Sequence, residues 1–143
     1  WLGDVDTAMN SIIAVGLWKY VGFAVIIFLS GLKAISEDIY EAAKIDGVTA
    51  WQNLWNITLP NLKGSFSLVG IWGIIQGIKV YDQVVVMTNG GPGTSTLVLY
   101  LYAWKNAFQF FNMGLAEAIA FFTAALAVVV SVVFNLILKP EKG

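Results

Sequence analysis

The sequence predicts an all-α membrane protein, a polytopic bundle of three transmembrane helices. Hydrophobic residues make up 58% of the 143 residues and charged residues 12%, whereas soluble domains carry about 25% charged residues. Three apolar windows, at 11–35, 65–87 and 115–138, reach the roughly 20 residues that a helix needs to cross a hydrocarbon core of about 30 Å. We therefore expect lipid to be the main solvent of this chain.

Composition excludes several classes of function. The sequence has no Cys and no His, so it lacks thiol nucleophiles, imidazole bases and the commonest zinc and haem ligands. Its basic residues are all lysines and the net charge is −1, which argues against nucleic acid as a partner. We predict that the chain is not an enzyme and binds no cofactor. It opens at Trp1 without a signal-peptide pattern, and we expect it to be part of a longer protein.

Lysine distribution predicts the orientation in the membrane. Most lysines flank or occupy the 36–64 loop or follow the last span, namely Lys33, Lys44, Lys63, Lys139 and Lys142. The 88–114 loop holds only Lys105. Because cytoplasmic loops are enriched in lysine and arginine, the 36–64 loop and the C-terminus are predicted to be cytoplasmic and the 88–114 loop external.

The cytoplasmic loop is predicted to be a hairpin of two short helices. Ser36 is a suitable N-cap for a helix over about 37–45, and Gly47 suits the position just after its end. Thr49 is a suitable cap for a second helix, which Leu59 and Pro60 are expected to end. From pattern alone, this hairpin either docks a soluble partner or lies on the membrane with its tryptophans at the interface.

A shorter apolar window at 97–111 predicts a helix lying at the outer interface. It is too short to span the bilayer and contains Lys105, Asn106 and Gln109. Aromatic side chains suited to the headgroup layer recur along it, namely Tyr100, Tyr102, Trp104, Phe108, Phe110 and Phe111.

Polar and small side chains inside the spans indicate which faces avoid lipid. One stripe of the second span carries Trp72, Gln76, Lys79 and Gln83, a mixture of hydrogen-bonding groups and an aromatic ring that suits a sugar. The adjacent stripe of Gly70, Gly73 and Gly77 favours either close helix packing or room for a solute. Lys19 in the first span either reaches the outer interface or lines the cavity. In the third span, a small and polar face suits packing against the other spans, with Glu117, Ala120, Ala124, Ser131 and Asn135.

Several motifs resemble one family of transport proteins. Glu41-Ala42-Ala43, Asp46-Gly47 and Ile57-Thr58-Leu59-Pro60 have the order and spacing of the "EAA" loop of ABC-importer permeases. The segment Thr88-Asn89-Gly90-Gly91-Pro92, the tryptophan-bearing first span and Gly114-Leu115-Ala116-Glu117-Ala118 resemble the carbohydrate-type permeases. The likeness covers essentially all 143 residues and corresponds to the C-terminal half of a six-span permease related to the maltose and glycerol-phosphate importers. One departure is Asp38, since many members of the family have Pro nearby, at or near Glu37.

The resemblance implies a role for the hairpin. It implies that residues 36–64 form a coupling helix inserted into a cleft of a separate ATP-hydrolysing subunit, which binds ATP itself. Glu41 would make a charged contact there, and Ala42, Ala43, Asp46 and Gly47 would complete the closely packed contact surface. The further partners implied are a second permease chain, identical or not, and an extracytoplasmic solute-binding protein, in the inner membrane of a prokaryote. The residues that it points to as lining the substrate pathway are Trp18, Tyr20, Trp72, Gly73, Gln76 and Gly77.

The sequence therefore predicts a permease subunit of an ATP-driven importer for a sugar or sugar-like solute. One alternative is the same architecture serving another solute, such as glycerol phosphate, a polyamine or an amino acid. A second is a membrane scaffold that holds a peripheral protein without transport. A membrane-embedded enzyme is the weakest alternative, because the spans hold no suitable acid–base pair or metal ligands.

Overall fold

The computed structural model describes residues 1–138, and helices dominate this part of the chain. In chain order the helices are α1 (Val5–Lys33), α2 (Glu37–Ile45), α3 (Ala50–Asn53), a π-helical turn (Leu54–Thr58), α4 (Leu59–Asn61), α5 (Lys63–Ile78), α6 (Asp82–Met87), α7 (Leu99–Phe108) and α8 (Met113–Leu138). Residues 1–138 contain no β-strand, so the all-α prediction is confirmed.

Two helices, α1 and α8, are long and apolar enough to cross a membrane, as judged by length and composition. Helix α1 begins earlier than the predicted window, at Val5, because Asp4 caps it by accepting a hydrogen bond from the Asp6 amide at 3.5 Å. Helix α8 begins at Met113, close to the predicted start. Lys139 and Lys142, which contributed to the predicted orientation, lie outside the described residues.

The second predicted span, 65–87, is not one continuous helix. Helix α5 ends at Ile78 and α6 starts at Asp82, and Tyr81 between them has non-helical backbone angles (φ −140°, ψ −59°). Tyr81 packs against the buried cluster of Ile12, Val84 and Leu101. This partial burial of the Tyr81 ring favours the break, because apolar surface removed from water contributes about 25 cal/mol per Å².

The hairpin helices begin and end where local signals place them. The Ser36 hydroxyl accepts a hydrogen bond from the Asp38 amide at 3.3 Å, and α2 spans Glu37–Ile45 as predicted. Gly47 follows with a φ of +73°, a backbone conformation that glycine adopts without strain. Thr49 caps α3 in a reciprocal capping box with Gln52.

The second hairpin helix ends at Asn61, one residue after the predicted Pro60, and Leu62 follows with non-helical backbone angles (φ −84°, ψ 1°). Proline lacks an amide hydrogen and removes one helical hydrogen bond. A π-helical turn precedes it, with the Leu59 amide bonded to the Leu54 carbonyl, and the Leu62 amide then bonds the Thr58 carbonyl at 3.1 Å. The widened turn accommodates the proline, so the second arm of the hairpin leads almost directly into α5.

Helix α5 lies between α1 and α8 and runs antiparallel to both. The Ser67 hydroxyl donates to the Asn135 side-chain oxygen at 3.3 Å, and the Phe28 and Phe66 ring centroids are 4.8 Å apart. A Cβ at Gly70 would collide with the Phe134 ring. Of the small and polar face predicted for the third span, Asn135 contacts α5 through its hydrogen bond to Ser67. Ala120, Ala124 and Ser131 instead line a groove between α5 and α8, and Glu117 is exposed.

The predicted short helix over 97–111 is present as α7, which spans Leu99–Phe108 and packs against α8. Lys105 does not interrupt it. The Lys105 ammonium donates to the Asn89 carbonyl of the preceding loop at 2.9 Å, which ties the 88–98 loop to α7.

A buried threonine holds the 88–98 loop in shape, and its replacement is expected to destabilise the fold. The Thr96 side chain is fully buried, donates to the Gly91 carbonyl at 2.8 Å and lies 2.7 Å from the Thr88 hydroxyl. Thr96→Val leaves that carbonyl without its donor, which costs about 1–3 kcal/mol. Thermal unfolding of the full-length subunit in detergent checks this, with the exposed Thr94→Val as the matched control. Equal melting temperatures for the two variants would contradict the role given to Thr96.

Candidate functional site

A cavity of about 590 Å³ lies between α1 and α5 and reaches α6. Its wall is mostly aliphatic, and its hydrogen-bonding side chains are Tyr20, Trp72, Gln76 and Gln83. No Asp, Glu or Lys is among the described residues that line it. A cavity of this size with a few polar groups in an apolar wall suits a small organic ligand.

Aromatic packing fixes the position of Trp72 in the cavity wall. Its ring meets the Tyr20 ring edge-on, with centroids 5.0 Å apart at 89°. On the other side, the Phe23 ring stacks on Trp72 at 4.2 Å and 30°. Such aromatic pairs contribute about 0.5–1.5 kcal/mol beyond the area that they bury. These two ring contacts therefore hold the indole in a defined orientation.

The break between α5 and α6 brings Gln83 into the same cavity. The buried Gln83 side-chain amide donates to the Tyr20 hydroxyl at 3.4 Å, joining α6 to α1. The predicted polar stripe does not survive as a single helix face, because α5 ends before Gln83. Lys79 lines a separate groove between α5 and α8 instead.

The glycine stripe of α5 divides between the two predicted roles. Gly70 packs against Phe134, as described above. Gly73 and Gly77 line the cavity, and no atom lies within 4 Å of the position that a Cβ would take at either residue. Gly70 thus packs closely against another helix, whereas Gly73, about one helical turn away, borders open space.

Most of the residues predicted for a substrate pathway meet in this cavity, and one does not. Tyr20, Trp72, Gly73, Gln76 and Gly77 line it together. Trp18 is 79% exposed and lies outside the lining, because two residues along a helix correspond to a rotation of about 200°.

Two further residues lie near the cavity. The sequence left two alternatives open for Lys19 and did not indicate Phe23. The Lys19 ammonium lies outside the lining, 5.3 Å from the Tyr20 ring centroid, in a cation–π arrangement. Phe23 was missed, although it lies three positions after Tyr20 and hence on a neighbouring part of the same helix face.

The hairpin residues predicted to contact a partner lie on and beside α2. Glu41, Ala42, Asp46 and Gly47 are exposed, whereas Ala43 is 6% exposed. The Ala43 carbonyl accepts a hydrogen bond from the Val48 amide at 3.0 Å, so this residue packs within the hairpin itself. The exposed charges on α2 are mainly acidic: Glu37, Asp38 and Glu41, with Lys44 as the cation.

On the second arm, the Trp51 and Trp55 rings contact each other with centroids 5.8 Å apart and remain largely exposed. The two arms also meet directly: the Tyr40 and Thr58 hydroxyl oxygens are 3.2 Å apart.

An integral membrane protein of the transport type is the class that this arrangement defines. Helices α1, α5 and α6 line a cavity with a few polar groups, and a hairpin with exposed charges connects α1 to α5. The family described as the binding-protein-dependent transport system inner membrane component matches residues 1–139, and the chain belongs to it.

Individual relatives agree with this assignment. An ABC transporter permease protein of Caldicellulosiruptor sp. (strain Rt8B.4) is 42% identical over 117 residues, which cover 82% of this chain and 84% of that protein. The multiple sugar-binding transport system permease protein of Streptococcus mutans is 40% identical over 131 residues, 92% of this chain and 45% of that protein. The chain therefore spans less than half of this second relative.

The fold is also found in a solved structure. A crystal structure of a bacterial alginate ABC transporter, in complex with a periplasmic protein bound to an alginate pentasaccharide, superposes with a TM-score of 0.81 at 24% identity. The match covers 95% of this chain and 48% of that one. This similarity shows that the two chains share a helical fold.

Proposed function

We propose that this chain is the C-terminal part of a permease subunit that imports a sugar-like solute across the inner membrane of a prokaryote. The observation that carries the proposal is the cavity between α1 and α5, where the rigidly held Trp72 stands beside Gln76 and Gln83. A sugar ring presents apolar C–H faces and a rim of hydroxyls, which match an aromatic plane and amide groups. The name of the Streptococcus relative, a multiple sugar-binding transport system permease, supports this class of solute.

The cavity lining favours a neutral solute over the charged alternatives. A glycerol phosphate, a polyamine or an amino acid requires an opposite charge to replace its lost hydration. The described lining residues carry no such charge, and Lys79 faces the groove with α8 instead. The alternative hypothesis, a membrane scaffold without transport, does not explain why Trp72 and Gln76 face a cavity rather than lipid.

The proposed topology has three spans, with the N-terminal end of α1 outside and the 36–64 hairpin and the C-terminus in the cytoplasm. Helix α5 has 16 residues and is about 24 Å long, which is shorter than a hydrocarbon core of about 30 Å. The second span is therefore completed by residues 79–81 and α6. Broken helices beside a solute site are a recurring feature of transporters, and here the break contributes Val80 and Gln83 to the cavity wall.

In the proposed mechanism, this chain performs no covalent chemistry. A separate ABC ATPase subunit binds ATP, and the α2 hairpin, with Glu41, Ala42, Asp46 and Gly47 on its surface, docks on it. A second permease subunit completes the pathway, and an extracytoplasmic binding protein delivers the solute. The coupling free energy comes from the difference in hairpin contact between the two states of the ATPase.

Replacing the central indole tests the proposal. In proteoliposomes containing the full-length subunit, its ATPase and its binding protein, Trp72→Ala is expected to lower sugar uptake about ten-fold, because a stacking plane and its supporting ring contacts are lost. Trp72→Phe keeps a ring and is expected to retain most uptake. The matched control is Trp18→Ala on α1, because the Trp18 side chain is 79% exposed and lies outside the cavity lining.

The solute panel consists of a neutral disaccharide and glycerol 3-phosphate, supplied separately. Uptake of the disaccharide alone supports the neutral-sugar proposal. Undiminished uptake by Trp72→Ala, or uptake of the phosphate ester alone, contradicts it.

A further inference from the structure

One hydrogen bond joins the two arms of the cytoplasmic hairpin at the end opposite its turn. The Tyr40 hydroxyl, in the first turns of α2, lies 3.2 Å from the Thr58 hydroxyl, the last residue of the π-helical turn. The two residues are 18 apart in sequence, and the pair is partly buried. Either hydroxyl can serve as the donor.

The hairpin is thereby closed at both ends. At the turn, the Val48 amide bonds the Ala43 carbonyl at 3.0 Å and the Gly47 amide bonds the Lys44 carbonyl at 3.1 Å. At the open end, the arms are joined by the Tyr40–Thr58 bond. Among the described residues, it is the one hydrogen bond between side chains of the two arms. Without it, α2 is joined to the second arm through a short turn that contains Gly47, whose backbone is conformationally permissive.

The same bond leads from α2 to the cavity-lining helix. The Thr58 carbonyl accepts from the Leu62 amide at 3.1 Å, and Leu62 is 6% exposed. A Cβ at Gly31 of α1 would press on the Leu62 and Ser65 side chains, so the start of α5 fits closely against α1. Helix α5 then carries Trp72 and Gln76 into the cavity.

We propose that the Tyr40–Thr58 hydrogen bond is a positioning contact that makes the hairpin move as one rigid unit. Movement received on α2 then reaches α5 through Thr58 and Leu62 instead of bending the turn at Gly47. This inference rests on the proposed permease function. Its consequence is specific: loss of the bond lowers the solute transported per ATP hydrolysed while the hairpin still binds the ATPase.

The first experiment compares variants that keep or lose each hydroxyl. The full-length subunit is reconstituted with its ATPase and binding protein, and sugar uptake and ATP hydrolysis are measured in the same vesicles. Tyr40→Phe and Thr58→Val are each expected to lower the ratio of uptake to hydrolysis about three-fold to ten-fold, the range that one net hydrogen bond supports. The double variant is expected to equal either single one, because all three lose the same bond.

Two controls separate the hydrogen bond from side-chain size. Thr58→Ser keeps a hydroxyl and is expected to keep the wild-type ratio. Tyr102→Phe removes an exposed tyrosine hydroxyl on α7, away from the hairpin, and is expected to change nothing. A merely structural role for Thr58 predicts instead that Thr58→Val and Thr58→Ser lower the amount of assembled complex without changing the ratio.

The second experiment measures the geometry of the hairpin directly. These 143 residues contain no Cys, so once any cysteines elsewhere in the full-length subunit and its partners are replaced, Asp38→Cys and Asn61→Cys give two sites for spin labels, both on exposed positions. The distance distribution between the labels in the assembled complex is expected to be narrow with Tyr40 and Thr58 present and to broaden with Tyr40→Phe.

The outcomes keep the two proposals apart. If the wild-type complex transports sugar but Tyr40→Phe changes neither the ratio nor the distance distribution, the rigid-hairpin inference is wrong and the permease proposal stands. If the wild-type complex neither binds the ATPase nor transports sugar, the permease proposal fails first. If Tyr40→Phe prevents assembly, the inference is tested with Thr58→Val and the distances between the spin labels. An unchanged distance distribution in Thr58→Val overturns the inference.

Discussion

Combining Glu41→Lys with Gly47→Trp is expected to lower ATP-driven uptake about a hundred-fold while the spans still insert into the membrane. Glu41 is an exposed carboxylate, and contacts of charged groups contribute about 1.5–3 kcal/mol. Gly47 has a φ of +73°, where a residue with a Cβ costs roughly 1–2 kcal/mol. The bulky indole also stands on the surface proposed to meet the ATPase. Both changes leave the cavity untouched, so any loss of uptake arises at the hairpin.

The measurement uses the full-length subunit co-expressed with its ATPase and reconstituted in proteoliposomes, with ATP hydrolysis, uptake and co-purification recorded together. Gly93→Trp is the matched control, because Gly93 also has a positive φ, +60°, and an open surrounding, but lies in the 88–98 loop. A correctly inserted double variant that still binds the ATPase and transports as before would falsify the coupling role of the hairpin.

Gly70→Leu is expected to destabilise the helical bundle more than any other single change described above. The Phe134 ring of α8 occupies the position that a side chain at residue 70 requires. Inserting carbon atoms into a packed contact costs about 1–3 kcal/mol, and more where neither helix can shift. Separating α5 from α8 also stretches the hydrogen bond between Ser67 and Asn135. The melting temperature of the full-length subunit in detergent is expected to fall by about 5–10 °C.

Gly73→Leu provides the contrast one turn further along α5. No atom lies within 4 Å of the position of its Cβ, so stability is expected to change little. Its side chain would enter the cavity, and uptake is expected to fall. Phe134→Ala combined with Gly70→Leu is expected to recover part of the lost stability. Equal melting temperatures for the Gly70 and Gly73 variants would show that the α5–α8 contact is looser than described.

The hairpin could be predicted closely because its ends depend on local interactions. Ser36 caps α2 through an amide two residues away, and Thr49 caps α3 through Gln52. The predicted end at Pro60 lies one residue before the observed end at Asn61. The π-helical turn that precedes Pro60 was not predicted, because no pattern of composition marks it.

The spans were predicted less completely, because apolar composition alone does not show where a helix breaks. Residues 65–87 are mostly apolar, and the helical spacing of Gln76, Lys79 and Gln83 predicts one continuous helix across the break between α5 and α6. The break follows from the packing of Tyr81 against Ile12 and Leu101, which are distant in sequence. Likewise, the hydrogen bond to Tyr20 of α1 holds Gln83 in the cavity wall. The helical periodicity of its own segment does not account for that position.

By itself, the sequence determined that this is an apolar helical chain with a capped helical hairpin, since composition, caps and turn residues act within a few positions of one another. Only the tertiary structure decided which glycine packs and which borders open space, that Trp18 points away while Tyr20 and Trp72 meet, and that Tyr40 reaches Thr58. Those outcomes depend on the antiparallel register of α1, α5 and α8 and on the angle between the hairpin arms. Both are set by side-chain contacts between segments far apart in the chain, which no local pattern encodes.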